Sequence, residues 1–266
     1  MAERLGLSML NLPQRYPEGW VDDMHAAGLE TVEISRSNQS DNADIARITC
    51  QAYQNAGFAI NSVHLPFREL WDISSPNEDI RRAALNKMLP FFPVLQQYRA
   101  SYAVVHPSFE PIPDPSRALR KEAFRRSLRE LCDAAEAAGC TVAIEDLPRT
   151  CLCNTAQETL ELLCDEPRAA ICFDTNHLLQ ESAVDFARAC ASRIRTLHIS
   201  DYDGVDERHW LPGEGIVDFP EVFRILREAG YAGAYVMELG THRDGSAYTP
   251  QEAADALRAQ LGQEAT

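Results

Sequence analysis

The sequence contains no run of about 20 uncharged apolar residues, so a helix crossing a bilayer is excluded on length alone. Its opening, MAERLGLSML, is too short and too charged for a signal peptide, and the expected location is the cytoplasm. Positive charge is scarce: 25 Lys and Arg face 40 Asp and Glu, a formal net charge of −15. That balance repels polyanions at long range and argues against a nucleic-acid partner. The eight cysteines (Cys50, Cys132, Cys140, Cys151, Cys153, Cys164, Cys172, Cys190) form no C-x-x-C pair. Such a pattern predicts small buried thiols in a reducing compartment, without disulfides. Cys151 and Cys153 make a lone C-x-C in a predicted loop, which reads as structural rather than as a soft-metal site. Neither G-x-G-x-x-G nor G-x-x-x-x-G-K-[ST] follows the first predicted strand, so the two commonest nucleotide cradles are missing.

What is present is an alternation. The chain has 266 residues, 45% hydrophobic and 24% charged, enough for two small domains or for one α/β barrel of roughly 250 residues. Short β-branched or apolar runs at 4–9, 31–35, 58–64, 102–106, 141–147, 170–175, 195–200 and 234–239 predict eight strands. Helical periodicity fills the gaps. In 117–138, Leu119, Phe124, Leu128, Leu131 and Ala135 are expected on one apolar face, and Gly139 ends the segment as a C-cap. Gly28, Gly57 and Gly230 close other helical segments just before a strand. Eight strand–helix units with right-handed crossovers predict a closed parallel ring, a single-domain (β/α)8 TIM barrel over 1–266. The last residues, 261–266, read as a frayed tail.

In such a barrel the C-terminal strand ends share one face, and that face carries the chemistry. The third predicted strand ends in Val63-His64-Leu65-Pro66 and the fourth in Val105-His106-Pro107. The fifth ends in Ile144-Glu145-Asp146 and the sixth in Phe173-Asp174-Thr175-Asn176-His177. The seventh ends in Leu197-His198-Ile199-Ser200-Asp201 and the eighth in Met237-Glu238-Leu239. Three carboxylates stranded after apolar strands need a cation to offset their repulsion. Oxygen and imidazole donors suit Mn²⁺, Mg²⁺, Co²⁺ or Zn²⁺. Glu145, Asp174, His198 and Glu238 are therefore the candidate ligands of one divalent ion. His25, in the first helix, is expected at the surface away from the mouth, and nothing in the spacing of His242 requires a role for it.

These motifs, with His209-Trp210-Leu211-Pro212-Gly213-Glu214-Gly215-Ile216-Val217-Asp218-Phe219, resemble the xylose isomerase-like TIM barrels, closest to the sugar phosphate isomerase/epimerase group. The resemblance implies a metal held by Glu145, Asp174, His198 and Glu238. It also implies that Glu145 and Glu238 act as acid and base on opposite faces of the substrate, with His64, His106 and His177 on its oxygens. His209 joins these as a substrate-binding candidate, and so does Glu214, on a glycine-flanked loop expected to form a lid or rim. The chemistry is consistent, since moving a proton next to a carbonyl passes through an enediolate that a divalent ion stabilises. The expected activity is a sugar isomerase or epimerase acting on a small sugar or sugar-like keto acid or polyol, with a homo-oligomer as an open option.

Three rivals stand beside it. A lyase of the inosose or dehydroshikimate dehydratase type would use the same layout to expel water. An endonuclease IV-like zinc enzyme would use His64, His106, Glu145, Asp174, His177, His198, His209 and Glu238, with Glu207 where that family has Asp. Against the nuclease, Ser108 follows His106-Pro107 where the repair enzymes carry Gly, and Asp201, Asp203, Asp206 and Glu207 surround His209. A non-catalytic sugar-binding barrel is the third. Trp20, Trp71 and Trp210 are more commonly packing residues than sugar platforms, and Arg149, Arg208 and Arg243 leave a substrate phosphate undecided.

Overall fold

A computed structural model describes residues 3–10, 12–35 and 42–262, apart from the side chain of Asp114. Eight parallel strands run β1 Leu5–Met9, β2 Leu29–Ile34, β3 Ala59–His64, β4 Tyr102–Val105, β5 Thr141–Glu145, β6 Ala170–Asp174, β7 Ile194–His198 and β8 Tyr235–Met237. Each pairs with its sequence neighbour, and β8 pairs with β1. The remaining gap is bridged by Ile199 and Met237: Ile199 N–H donates to the Val236 carbonyl (2.9 Å), and Glu238 N–H to the Ile199 carbonyl (3.1 Å). The expected barrel is present. Strands β1 and β3 end where the apolar runs suggested, and the other six stop one or two residues earlier, where the chain turns into the mouth.

The outer ring among the described residues is α1 Trp20–Ala26, α2 Ala43–Asn55, α3 Glu78–Met88, α4 Phe92–Tyr98, α5 Arg117–Ala138, α6 Ala156–Leu163, α7 Ala183–Cys190, α8 Phe219–Glu228 and α9 Pro250–Leu261. The β3–β4 crossover carries two helices because Pro90, which has no N–H to donate, falls in the tight turn between them. Helix α5 buries Phe124, Leu128, Leu131 and Ala135. Leu119 departs from that face and is 57% exposed. It lies five residues before Phe124, about 140° around a helix of 3.6 residues per turn. Gly28, Gly57, Gly139 and Gly230 all have positive φ, 69° to 96°, as a stop before a strand requires. Leu261, expected in a frayed tail, is instead a buried residue of the last turn of α9; 263–266 lie outside the described residues.

Two packing layers place the site. Between strands and helices lies an apolar shell in which Val32, Val63, Val105, Ile144, Ile171, Phe173 and Leu197 are buried. Inside the ring sits a separate small cluster of Val104, Ala143, Ala170 and Cys172. Side chains alternate along a strand, so the register that turns Ala143 and Cys172 inward also turns Glu145 and Asp174 inward one step nearer the mouth. All eight cysteines are free thiols, as expected. No described helix is long and apolar enough to cross a membrane.

The 213–217 segment is fastened from below. The buried Asp201 carboxylate accepts the backbone N–H groups of Gly213 (2.9 Å), Gly215 (2.8 Å) and Val217 (3.1 Å). A Cβ on Gly215 would collide with the Tyr202 carbonyl oxygen and the Asp201 carboxylate. Gly215→Ala is therefore expected to destabilise by about 1–3 kcal/mol, seen as a melting temperature several degrees lower by calorimetry; an unchanged melt would mean that the loop is loosely held.

Candidate active site

Glu145, Asp174, His198 and Glu238 leave β5, β6, β7 and β8 and bring one donor atom each within 4.8 Å of the others. His198 Nδ1 lies 2.9 Å from Glu145 Oε1, 3.1 Å from Glu238 Oε2 and 3.8 Å from Asp174 Oδ2. Glu145, Asp174 and His198 are buried, whereas the Glu238 side chain keeps a quarter of its surface open.

The electrostatics report a site short of positive charge. Burial alone would push the Glu145 and Glu238 carboxyls up, but neighbouring histidines outweigh it, His198 foremost. Glu145 is left well below the carboxylate range and Glu238 at about 2. Burial would lower His198, yet the anionic groups around it, Glu33, Glu238 and Glu145 among them, hold it well above an ordinary imidazole. Burial, and then the charge of Glu145, drives Asp174 well above the usual range. Its Oδ1 accepts the Asn176 N–H (2.7 Å), while its Oδ2 is buried with no hydrogen-bond partner. An orphaned carboxyl oxygen facing two more carboxylates and an imidazole nitrogen fits a divalent cation with mixed N/O donors.

Above this point the mouth forms a cavity of ≈ 370 Å³. His64 Nε2 (3.0 Å) and His106 Nε2 (3.1 Å) both approach Glu145 Oε2. Burial lowers His106 to about 4 against the opposing pull of Glu145. Phe67 stacks on His106 with ring centroids 3.6 Å apart and also lines the cavity. His177 donates Nδ1–H to the Asp146 carbonyl (2.8 Å), which leaves Nε2 toward Glu207 at 4.0 Å. His209 sits at φ 53° with Nδ1 3.2 Å from the Glu238 carbonyl. Asn176 Oδ1 fixes that turn by accepting the N–H groups of Arg208 (2.9 Å) and His209 (3.1 Å). The structure thus brings together Glu145, Asp174, His198, Glu238, His64, His106, His177 and His209.

Glu214 is not brought in. Its carboxylate accepts His242 Nδ1–H (2.6 Å) and Arg243 N–H (2.7 Å), so it clasps the loop after β8 instead of lining the cavity. The same contact gives His242 a structural partner. His25 is exposed as expected, stacked on Phe58. Trp20 packs with Tyr16 and Tyr248, Trp71 lies under Arg68 and Lys87, and Trp210 under Arg243. None of the three lines the cavity; Phe67 and Phe109 do. Cys151 and Cys153 are buried, with thiols raised by burial, and belong to no described metal-binding cluster.

Two buried acids carry no assignment in the sequence reading: Asp146, at the end of the fifth predicted strand, and Glu33, inside the second. Asp146 Oδ1 accepts the Asp174 N–H (2.8 Å), and burial, then Asp174 itself, raises its carboxyl. Glu33 is fully buried in β2 and reaches His198 Nε2 at 2.9 Å. The available signal was an acid in the middle of the apolar run Thr31-Val32-Glu33-Ile34.

The sequence profile of the xylose isomerase-like TIM barrel family matches residues 21–260. The fructoselysine 3-epimerase of Escherichia coli O157:H7 is 22% identical over 249 residues, 90% of this chain and 83% of its own. The D-psicose 3-epimerase of Ruminiclostridium cellulolyticum is 28% identical over 233 residues, 82% of this chain and 76% of its own. A crystal structure of a D-tagatose 3-epimerase-like protein superposes with a TM-score of 0.82 at 22% identity, covering 97% of each chain, a likeness of fold.

The raised His198 means that a cation entering the site displaces a proton. Apparent Mn²⁺ affinity should therefore rise with pH between 6 and 8, by up to about tenfold per unit for each proton displaced. Calorimetric titration in two buffers of different ionisation enthalpy should show proton release; an affinity independent of pH would contradict this protonation pattern.

Proposed function

The chain belongs to the xylose isomerase-like TIM barrel family, and on that footing we propose that it is a divalent-metal-dependent sugar epimerase or isomerase. The observation that carries the reading is the convergence of Glu145 and Glu238, from nonadjacent strands, on the donor group that also contains Asp174 and His198. Relatives named as ketose-type 3-epimerases support the substrate class. A small sugar with a carbonyl beside a hydroxyl-bearing carbon fits the ≈ 370 Å³ cavity.

One glutamate removes the proton next to the carbonyl, and the other returns a proton to the opposite face of the same carbon or to its neighbour. Glu145 is held ionised by its histidines, the form in which it can accept a proton, though a lowered carboxyl is the weaker base. Glu238, the more open of the two, is the one solvent can reach. Glu145, Asp174, His198 and Glu238 would hold the divalent ion, Mn²⁺, Mg²⁺, Co²⁺ or Zn²⁺. When bound, it would polarise the carbonyl and offset the negative charge that develops as the proton leaves. His64, His106, His177 and His209 face the sugar's oxygens, and Phe67 offers an apolar wall.

Arg149, the only arginine of the described cavity lining, is engaged by Glu110 (2.6 Å), Asp206 (2.7 Å) and Glu207 (2.9 Å). No lysine lines the cavity among the described residues. An unphosphorylated sugar is therefore favoured over a sugar phosphate, and a cytoplasmic setting agrees with the free thiols. Incubation of the Mn²⁺-loaded protein with free ketoses in D₂O should place solvent deuterium at the epimerised carbon, read by NMR. Glu145→Gln should keep the fold and lose this exchange by at least about 10²-fold, the lower bound for a positioned proton-transfer group. Exchange at the wild-type rate in that variant would remove Glu145 from the chemistry. Loss of water from an inosose or dehydroshikimate would move the protein to the lyases, and inertness toward all substrates to the sugar-binding barrels.

One observation favours a second reading. His64, His106 and Glu145 form another donor group within 4.8 Å, and His177, Glu207 and His209 a third. These are the additional sets an endonuclease IV-like trizinc enzyme would need. The net charge of −15 and the acids Asp203, Asp206 and Glu207 on the rim oppose a phosphodiester backbone. Elemental analysis of the purified protein should give one ion per chain; three zinc ions with cleavage of abasic DNA would establish the nuclease instead.

A further inference from the structure

Glu33 is a buried titratable group that the proton-transfer scheme leaves without a task. It lies in β2 with no exposed surface, inside a barrel whose interior positions are ordinarily filled by branched apolar side chains. No described arginine or lysine pairs with it. Instead three other strands supply its donors: Ser8 of β1 donates to Oε1 (2.9 Å), Ser62 of β3 to Oε2 (2.7 Å), and His198 Nε2 of β7 lies 2.9 Å from Oε1 and 3.0 Å from Oε2. The two hydroxyls hold the carboxylate's oxygens, and both oxygens face one imidazole nitrogen. The other nitrogen of that ring, Nδ1, faces Glu145, Glu238 and Asp174.

A neutral imidazole carries one N–H, and the partner of one nitrogen decides what the other can do. We propose that Glu33 is a positioning residue that fixes the N–H of His198 at Nε2 and the ring in plane, so that the Nδ1 lone pair is presented to the divalent cation. Ser8 and Ser62 complete the device by orienting the carboxylate. The inference rests on the reading that the four strand-end residues hold a metal ion, and it adds the residue that makes His198 a ligand through one defined atom. A carboxylate behind a metal-bound histidine typically changes metal affinity by 10–100-fold.

Two measurements test it. In the Zn²⁺-loaded wild-type protein, long-range ¹H–¹⁵N correlation spectra of the histidine rings should show His198 protonated at Nε2 and metal-bound at Nδ1; a proton on Nδ1 overturns the proposal. Glu33→Gln should bind Mn²⁺ roughly 10–100-fold more weakly in a chelator competition, with Glu33→Asp recovering part of the loss. A purely structural Glu33 would lower the melting temperature of the variants and leave Mn²⁺ affinity within twofold of wild type, which also overturns it. Should Glu33→Gln fail to fold, the wild-type tautomer still decides. Absence of any ion binding by the wild type would instead defeat the metal reading itself.

Discussion

The crowding of carboxyl groups around a single imidazole is the constraint on which the site depends. Glu145, Asp174 and Glu238 face one side of His198 and Glu33 the other, all within the closed interior. Burying such a set is unfavourable unless charges are paired, and the pairing here is incomplete: Asp174 is pushed toward its neutral form and keeps an orphaned oxygen. Only a rigid frame can hold like charges this close. The closed ring provides it, since every contributing strand is hydrogen-bonded to both neighbours or bridged across the β7–β8 seam.

The loops around the mouth are tied by polar contacts of their own, and those ties distinguish binding residues from fasteners. Asp201 holds three backbone N–H groups of the 213–217 segment. Glu214 fastens that segment to His242 and Arg243, and Arg149 joins the loops after β4, β5 and β7 through three carboxylates. Acidic residues on the rim are thereby consumed in loop geometry. The cavity floor keeps a mixture of imidazoles and carboxylates facing a ligand.

Much of this was legible in the chain. Alternating apolar strands and glycine-stopped helices gave the barrel, and the barrel rule turned seven scattered strand-end residues and His209 into one cluster. Two things were not legible, each for a physical reason. Glu214 looked like a binding residue because a glycine-flanked loop after β7 can reach the mouth; which way its side chain turns depends on His242, 28 residues later. Glu33 gives no local signal because its contacts arise in the middle of a strand, from donors on β1, β3 and β7 that no sequence pattern connects.

The most direct test of the central claim is anomalous diffraction from crystals soaked in Mn²⁺. The account predicts one strong peak per chain within bonding distance of Glu145, Asp174, His198 Nδ1 and Glu238. A crystal saturated with Mn²⁺ that shows no peak between those four side chains would contradict it.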